Sequence, residues 1–219
     1  MEISEQGESP FPLVVIENAF TPEMVRAAEA EWPATNWPWW HVYGDGNANK
    51  LASKDPSRIT PASARLLDRM ANLEVDSVFK QTGLFPDFTM HGAGMHAIGN
   101  GGFLKAHLDS DHHPTMGWSR EVSGVLFLNE HWEPSWGGEL QLLNPEGKEV
   151  IKCLSPKFNR LVLFRCRGTA WHQVSPVTCP ETESRKTLAM FWWSKKSSPG
   201  TRPTALFKST VECAAETHS

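Results

Sequence analysis

Apolar and polar positions along this chain change period near residue 88. Upstream of that point the apolar residues recur at helical spacing. Thr21, Pro22 and Glu23 supply an N-cap, a proline for the first turn and an acid beside the helix N-terminus, so a helix is predicted from residue 22 to about 32, where Pro33 stops it. Thr60-Pro61 opens a second helix with Ala64, Leu67, Met70 and Ala71 on one face, and a third covers about 74–82 and ends at Gly83. Residues 12–16 form a short apolar, β-branched run, which predicts a strand. Residues 1–10 are polar and predict a loose tail, and residues 37–54 predict an irregular loop or a short strand ending at Lys50-Leu51-Ala52.

From Phe88 onward the runs are short, β-rich and broken by Gly, Pro and Asn. Strands are predicted at 88–98, 121–128, 139–143, 149–154, 160–166 and 187–193. Several strands at this spacing after a helical region suggest a β-sandwich or barrel with helices on one face. One domain is expected, with an N-terminal helical and specificity region at 1–87, a β core at 88–194 and a polar tail at 195–219.

Composition narrows the function classes. A formal net charge of −4 gives no field for a nucleic-acid polymer or an acidic membrane, so a bound anion must be held by local cations. No apolar run approaches a membrane span, and the N-terminus lacks the basic and apolar regions of a signal peptide, so a cytoplasmic location is expected. Cys153, Cys166, Cys179 and Cys213 contain no CxxC pair and read as reduced thiols. Ten Trp against one Tyr predict an aromatic-lined core and an aromatic-lined pocket.

The chemistry centres on His107-Leu108-Asp109. Residues two apart on an extended strand point to one side, so an imidazole and a carboxylate converge there. His172, far downstream, can return on a neighbouring strand. Two His and one carboxylate leave three coordination positions open, which suits Fe(II) that binds a chelating co-substrate and then O2. Arg185 heads an apolar strand, and a buried guanidinium there needs an anion. Thr187 and Ala189 alternate with it on the same face. Further residues suited to a substrate pocket are Trp40, Tyr43 and Lys50 in the aromatic and polar run 39–50, and Arg120, a cation that could hold a substrate carboxylate or phosphate.

The motifs Gly101-Gly102-Phe103-Leu104-Lys105-Ala106-His107-Leu108-Asp109, Val125-Leu126-Phe127-Leu128-Asn129 with Trp132, Gly137-Gly138-Glu139-Leu140, residues 156–164, and His172-Gln173-Val174-Ser175-Pro176-Val177 before Arg185 occur in a telling order. Over about 88–194 this sequence resembles the prolyl-4-hydroxylase-like branch of the Fe(II)/2-oxoglutarate dioxygenases. The resemblance implies a double-stranded β-helix, or jelly-roll, with His107, Asp109 and His172 on the iron ligands and Arg185 on the 2-oxoglutarate anchor. It also implies oxidation of a substrate C–H bond with release of succinate and CO2, and the carboxylate of Asp109 favours hydroxylation over halogenation. The pattern departs where the family carries tyrosines: His96, Ala97 and Ile98 stand at the first such region and Leu126 at the second, so His96 is a candidate co-substrate ligand. A small-molecule substrate is expected. A peptidyl, prolyl-type substrate and a metal-binding jelly-roll without oxygenase chemistry are the alternatives.

Overall fold

The computed structural model of this chain describes residues 3–195 and 202–212. The strands are β1 (Ile3–Gly7), β2 (Leu13–Ile16), β3 (Trp40–Gly44), β4 (Ala48–Ser53), β5 (Phe85–Pro86), β6 (Gly94–Gly99), β7 (Phe103–Leu108), β8 (Ser119–Phe127), β9 (Leu140–Leu143), β10 (Val150–Leu154), β11 (Leu161–Arg165), β12 (His172–Val174), β13 (Ser184–Ser194) and β14 (Leu206–Phe207). The helices are α1 (Pro22–Ala30), α2 (Pro61–Ala71) and α3 (Val75–Phe79). The main path of the sheet runs β1-β2-β11-β8-β13-β6-β4-β7-β12-β9-β10, and its strand pairs are antiparallel. Strands β3, β5 and β14 join from the side, on β4, β13 and β7. The sheet curls on itself as the expected jelly-roll.

Its two faces explain why β8 and β13 are buried nearly throughout. Leu126, Leu188, Met190 and Trp192 face α1 and α2, where they pack with Val25, Ala28, Leu66 and Met70. Phe127, Val162, Phe164, Leu140 and Leu142 fill the inside of the roll. A strand buried on both faces loses the alternation of a half-exposed one. Each enclosed leucine contributes roughly 1.5–3 kcal/mol, so these strands form a rigid floor under the site.

The helices start where the caps lie. At α2, Thr60 accepts from the Ser63 amide at 3.4 Å and Glu31 accepts from the Ala62 amide at 2.7 Å, which satisfies two N-terminal donors. The buried face of α2 is Ala62, Leu66, Leu67 and Met70, and Ala64 is exposed, against the expected face.

Three sequence expectations are corrected. The N-terminal segment is not a loose tail, because β1 pairs with β2. The stretch 37–54 forms a hairpin, β3–β4, that enters the main sheet between β6 and β7. The C-terminal tail is ordered at 202–212, where β14 adds to β7; positions 196–201 and 213–219 of the expected tail lie outside the described residues.

Candidate metal centre

Strand register brings the three expected ligands together. His107 on β7 is directly opposite His172 on β12, and their ring centroids are 4.1 Å apart. Asp109 lies one residue beyond the end of β7, with Oδ1 3.6 Å from His107 Nε2. The ligand atoms of His107, Asp109 and His172 all fall within 4.8 Å of one another.

Hydrogen bonds set which atoms point inward. His107 Nδ1 donates to the Lys105 carbonyl at 2.9 Å, and His172 Nδ1 donates to the Ala170 carbonyl at 3.0 Å. A carbonyl only accepts, so both imidazoles carry their proton on Nδ1 and turn the Nε2 lone pair toward the shared space. Asp109 Oδ2 accepts from Ser123 Oγ at 3.0 Å and lies 3.6 Å from Arg120. Oδ1 is therefore the oxygen left for a cation. Burial alone would raise the Asp109 pKa, but the approach of His107 and the charge of Arg120 outweigh it, holding the carboxyl well below its usual range. Burial, with His107 beside it, pushes His172 down to about 4. Two imidazoles and one ionised carboxylate in a buried cluster fit a divalent transition metal with three positions open.

Arg185, 3% exposed, points into the same space from β13. Its Nε donates to the Gly138 carbonyl at 2.6 Å, and its guanidinium lies 4.8 Å from the Phe127 ring. Among the described residues no carboxylate lies within ion-pair distance of it. Burial lowers it to about 9. Thr187 follows on the same face, opposite His96 on β6. His96 Nε2 donates to the Gly92 carbonyl at 3.1 Å, and burial beside Lys50 pushes its pKa down to about 3, so it is neutral. Lys50 on β4 also turns inward; burial lowers it to about 8, with Asp109 opposing and Arg185 reinforcing that shift. Tyr43 on β3 faces Lys50, whose ammonium is 5.2 Å from the phenol ring.

Two residues expected at a pocket stand elsewhere. Trp40 occupies the opposite face of the β3–β4 hairpin, buried under α1 and α2 against Trp32 and Trp37, with Nε1 donating to Ala34 O at 2.9 Å. Arg120 is 4% exposed and sits behind Asp109, over Phe191 at 3.9 Å and Trp193 at 4.8 Å.

Residues 93–194 match the family described as the 2OG-Fe(II) oxygenase superfamily. That match covers a little less than half of the chain. The cofactor set expected from sequence, Fe(II), 2-oxoglutarate and O2, is the set of this oxygenase family, and the His-Asp-His group fits the iron. Prolyl 3-hydroxylase OGFOD1 of Mus musculus is 30% identical over 86 residues, which is 37% of this chain and 16% of that protein. Egl nine homolog 1 of Rattus norvegicus is 32% identical over 78 residues, 36% of this chain and 22% of that protein. The chain thus spans less than a quarter of these two relatives. In fold, the chain resembles a prolyl-4-hydroxylase of Pseudomonas putida, with a TM-score of 0.57 and 21% identity over 84% of this chain and 92% of that one. A prolyl hydroxylase from Trichoplax adhaerens, solved with a hypoxia inducible factor peptide fragment, gives a TM-score of 0.55 and 17% identity over 84% of each chain.

Sequence reasoning missed a group on the C-terminal strap, residues 202–212. Arg202 Nε donates to the Asp109 carbonyl at 2.7 Å, and its amide donates to Asp111 Oδ1 at 3.1 Å. Phe207 pairs with His107 across β14–β7, and Lys208 donates its amide to Ala106 O at 2.8 Å. Gln173, between His172 and Val174, exchanges two hydrogen bonds with Val211, at 2.6 and 3.0 Å. The segment is polar and proline-broken, so no periodicity marked it.

Proposed function

We propose that this chain is an Fe(II)- and 2-oxoglutarate-dependent hydroxylase in which His107, Asp109 and His172 hold the metal. The observation that carries this reading is the buried, acid-free guanidinium of Arg185 on the interior face that also presents the two imidazoles. A metal-binding jelly-roll without a co-substrate has no use for such a cation, whose burial without an anion costs several kcal/mol. Arg185 holds the distal carboxylate of 2-oxoglutarate, and Thr187 and His96 line the same pocket. The bound iron would supply hydroxylation of a C–H bond by O2, one oxygen atom going to the substrate and the other to the succinate formed as 2-oxoglutarate loses CO2.

The chain's own residues orient and exclude. The Lys105 and Ala170 carbonyls fix both imidazoles in one tautomer. Ser123 and Arg120 hold Asp109 ionised, with one oxygen turned to the metal. Phe127, Leu142 and Phe164 close the floor of the site to water. Tyr43 and Lys50 on the β3–β4 hairpin face the substrate side, and Arg120 acts through Asp109.

Two substrate classes follow from different observations. The hairpin that places Tyr43 over the site suits a small molecule. The similarity to prolyl hydroxylases favours a peptidyl proline. The test is anaerobic addition of Fe(II) and 2-oxoglutarate, which should produce a visible charge-transfer band that His107→Ala and Asp109→Ala abolish. Absence of the band with folded wild type would sink the oxygenase reading. Succinate release with proline-containing peptides, compared with a panel of small molecules, then decides the substrate class.

A further inference from the structure

Lys50 belongs to a row that strand register defines. Tyr43 is opposite Lys50 across β3–β4. Leu51 is opposite Ala97, which places Lys50 opposite Ile98 one residue further on, and Ile98 is opposite Arg185. Directly opposed residues of antiparallel strands point to the same side. Lys50 and Arg185 therefore flank Ile98 on the interior face, two strand spacings or roughly 10 Å apart at the backbone. Both side chains are long enough to converge over Ile98.

The surroundings of the Lys50 ammonium are short of anions. Among the described residues it has no hydrogen-bond or ion-pair partner, and Arg185 has only the Gly138 carbonyl. Asp109 is the one carboxylate within electrostatic reach of Lys50 that bears on it. That carboxylate is already engaged, with Oδ2 on Ser123 and beside Arg120 and with Oδ1 facing the imidazoles. A buried guanidinium and a half-buried ammonium on one row, the first disfavouring the charge of the second, call for a shared anion. Phe127, which has no hydroxyl, lies under the guanidinium.

We propose that Lys50 and Arg185 together receive the distal carboxylate of 2-oxoglutarate, Lys50 supplying the second donor that a tyrosine would otherwise supply. This rests on the oxygenase reading above. It assigns Lys50 to the co-substrate, with Tyr43 as the wall that holds its side chain inward.

The experiment is equilibrium binding by calorimetry on the full chain loaded with Mn(II). Two ligands are compared: 2-oxoglutarate, and 2-oxobutyrate, which chelates a metal equally but has no distal carboxylate. Lys50→Met should weaken 2-oxoglutarate binding roughly tenfold or more, the scale of a lost charged hydrogen bond, and leave 2-oxobutyrate unchanged. Lys50→Arg keeps the charge and should retain most of the affinity. Unchanged 2-oxoglutarate binding in Lys50→Met overturns the assignment. So does equal weakening of both acids, which puts Lys50 at the metal end of the chelate, and so does a Lys50→Arg loss as large as that of Lys50→Met. A wild type that binds neither acid overturns the oxygenase reading and this assignment with it; a wild type that binds both beside an unaffected Lys50→Met overturns this assignment alone.

Discussion

Phe207 stacks on His107, with ring centroids 5.3 Å apart and planes 23° from parallel. The contact joins the C-terminal strap to an imidazole that already donates Nδ1 to Lys105 O, so the ring is fixed on two sides. Partners that orient a ligand are worth about 10–100-fold in metal affinity when lost. Phe207→Ala is expected to weaken Mn(II) binding roughly tenfold, as read by titration of the metal-free protein. Leu206, the exposed neighbour on the same two-residue strand, is the control: Leu206→Ala should bind Mn(II) as wild type does.

Arg120 is held by ring faces and by Asp109, and it is nearly enclosed. Removing one partner of a buried ion pair leaves the other uncompensated and costs about 3–5 kcal/mol. Because Asp109 is less enclosed than Arg120, Arg120→Met should lose about 3 kcal/mol at most in urea denaturation of the metal-free chain. Adding Asp109→Asn to Arg120→Met should recover part of that loss, since no lone charge then remains.

Gly138 stands at φ +74°, and a Cβ there would come within 3.1 Å of Arg185 Cδ, 3.2 Å of Val177 and 3.3 Å of Trp132. Its carbonyl is also the acceptor for Arg185 Nε. Gly138→Ala therefore strains the backbone and moves the guanidinium at once. We expect at least a severalfold higher 2-oxoglutarate requirement, whereas Gly168→Ala, also at positive φ but with open space around its Cβ, should cost stability without that change.

His96 gives a pH signature to the metal-free protein. Burial and the neighbouring Lys50 and Arg185 depress it to about 3 from an ordinary 6.5, with Asp109 and the Gly92 carbonyl acting the other way. The unfolded chain then binds the extra proton below 6.5, so stability falls as pH drops from about 6.5 toward 3. His172, His91 and His113 are depressed as well and share the trend. The loss of stability between pH 7 and pH 5 should be smaller in His96→Gln than in wild type, by parallel urea denaturations. An equal loss in both would place the acid sensitivity on the other histidines.

The ligand triad was legible in sequence because strand geometry is local. His107-x-Asp109 puts two side chains on one side of an extended segment whatever the rest of the chain does. A β-sandwich or barrel was legible for a similar reason, since short apolar runs between Gly, Pro and Asn define strands and turns without long-range information; the jelly-roll came from the resemblance to the dioxygenases. Arg185 could be picked out because a cation heading an apolar strand is a local anomaly.

Other assignments depended on which face a residue takes. Trp40 and Tyr43 are three residues apart on one strand, and alternation sends one under the helices and the other over the site. No composition argument separates them, because the register of β3 on β4 sets their faces. Arg120 looks in sequence like any cation before a strand. A shift in the β13–β8 register between Trp192 and Trp193 pairs Trp193 with Arg120, the guanidinium lying over that ring and close to Asp109. The strap is the clearest case. Residues 202–212 carry no hydrophobic period, and what orders them is the free edge of β7 and the backbone of Asp109, both made by distant parts of the chain. The sequence by itself determined the His107-x-Asp109 pair and the strand-rich character of the chain around it, since both follow from neighbours along the chain. Only the tertiary structure decided which cations share the interior with the metal ligands and what holds those ligands from behind, because both depend on pairing between strands far apart in sequence.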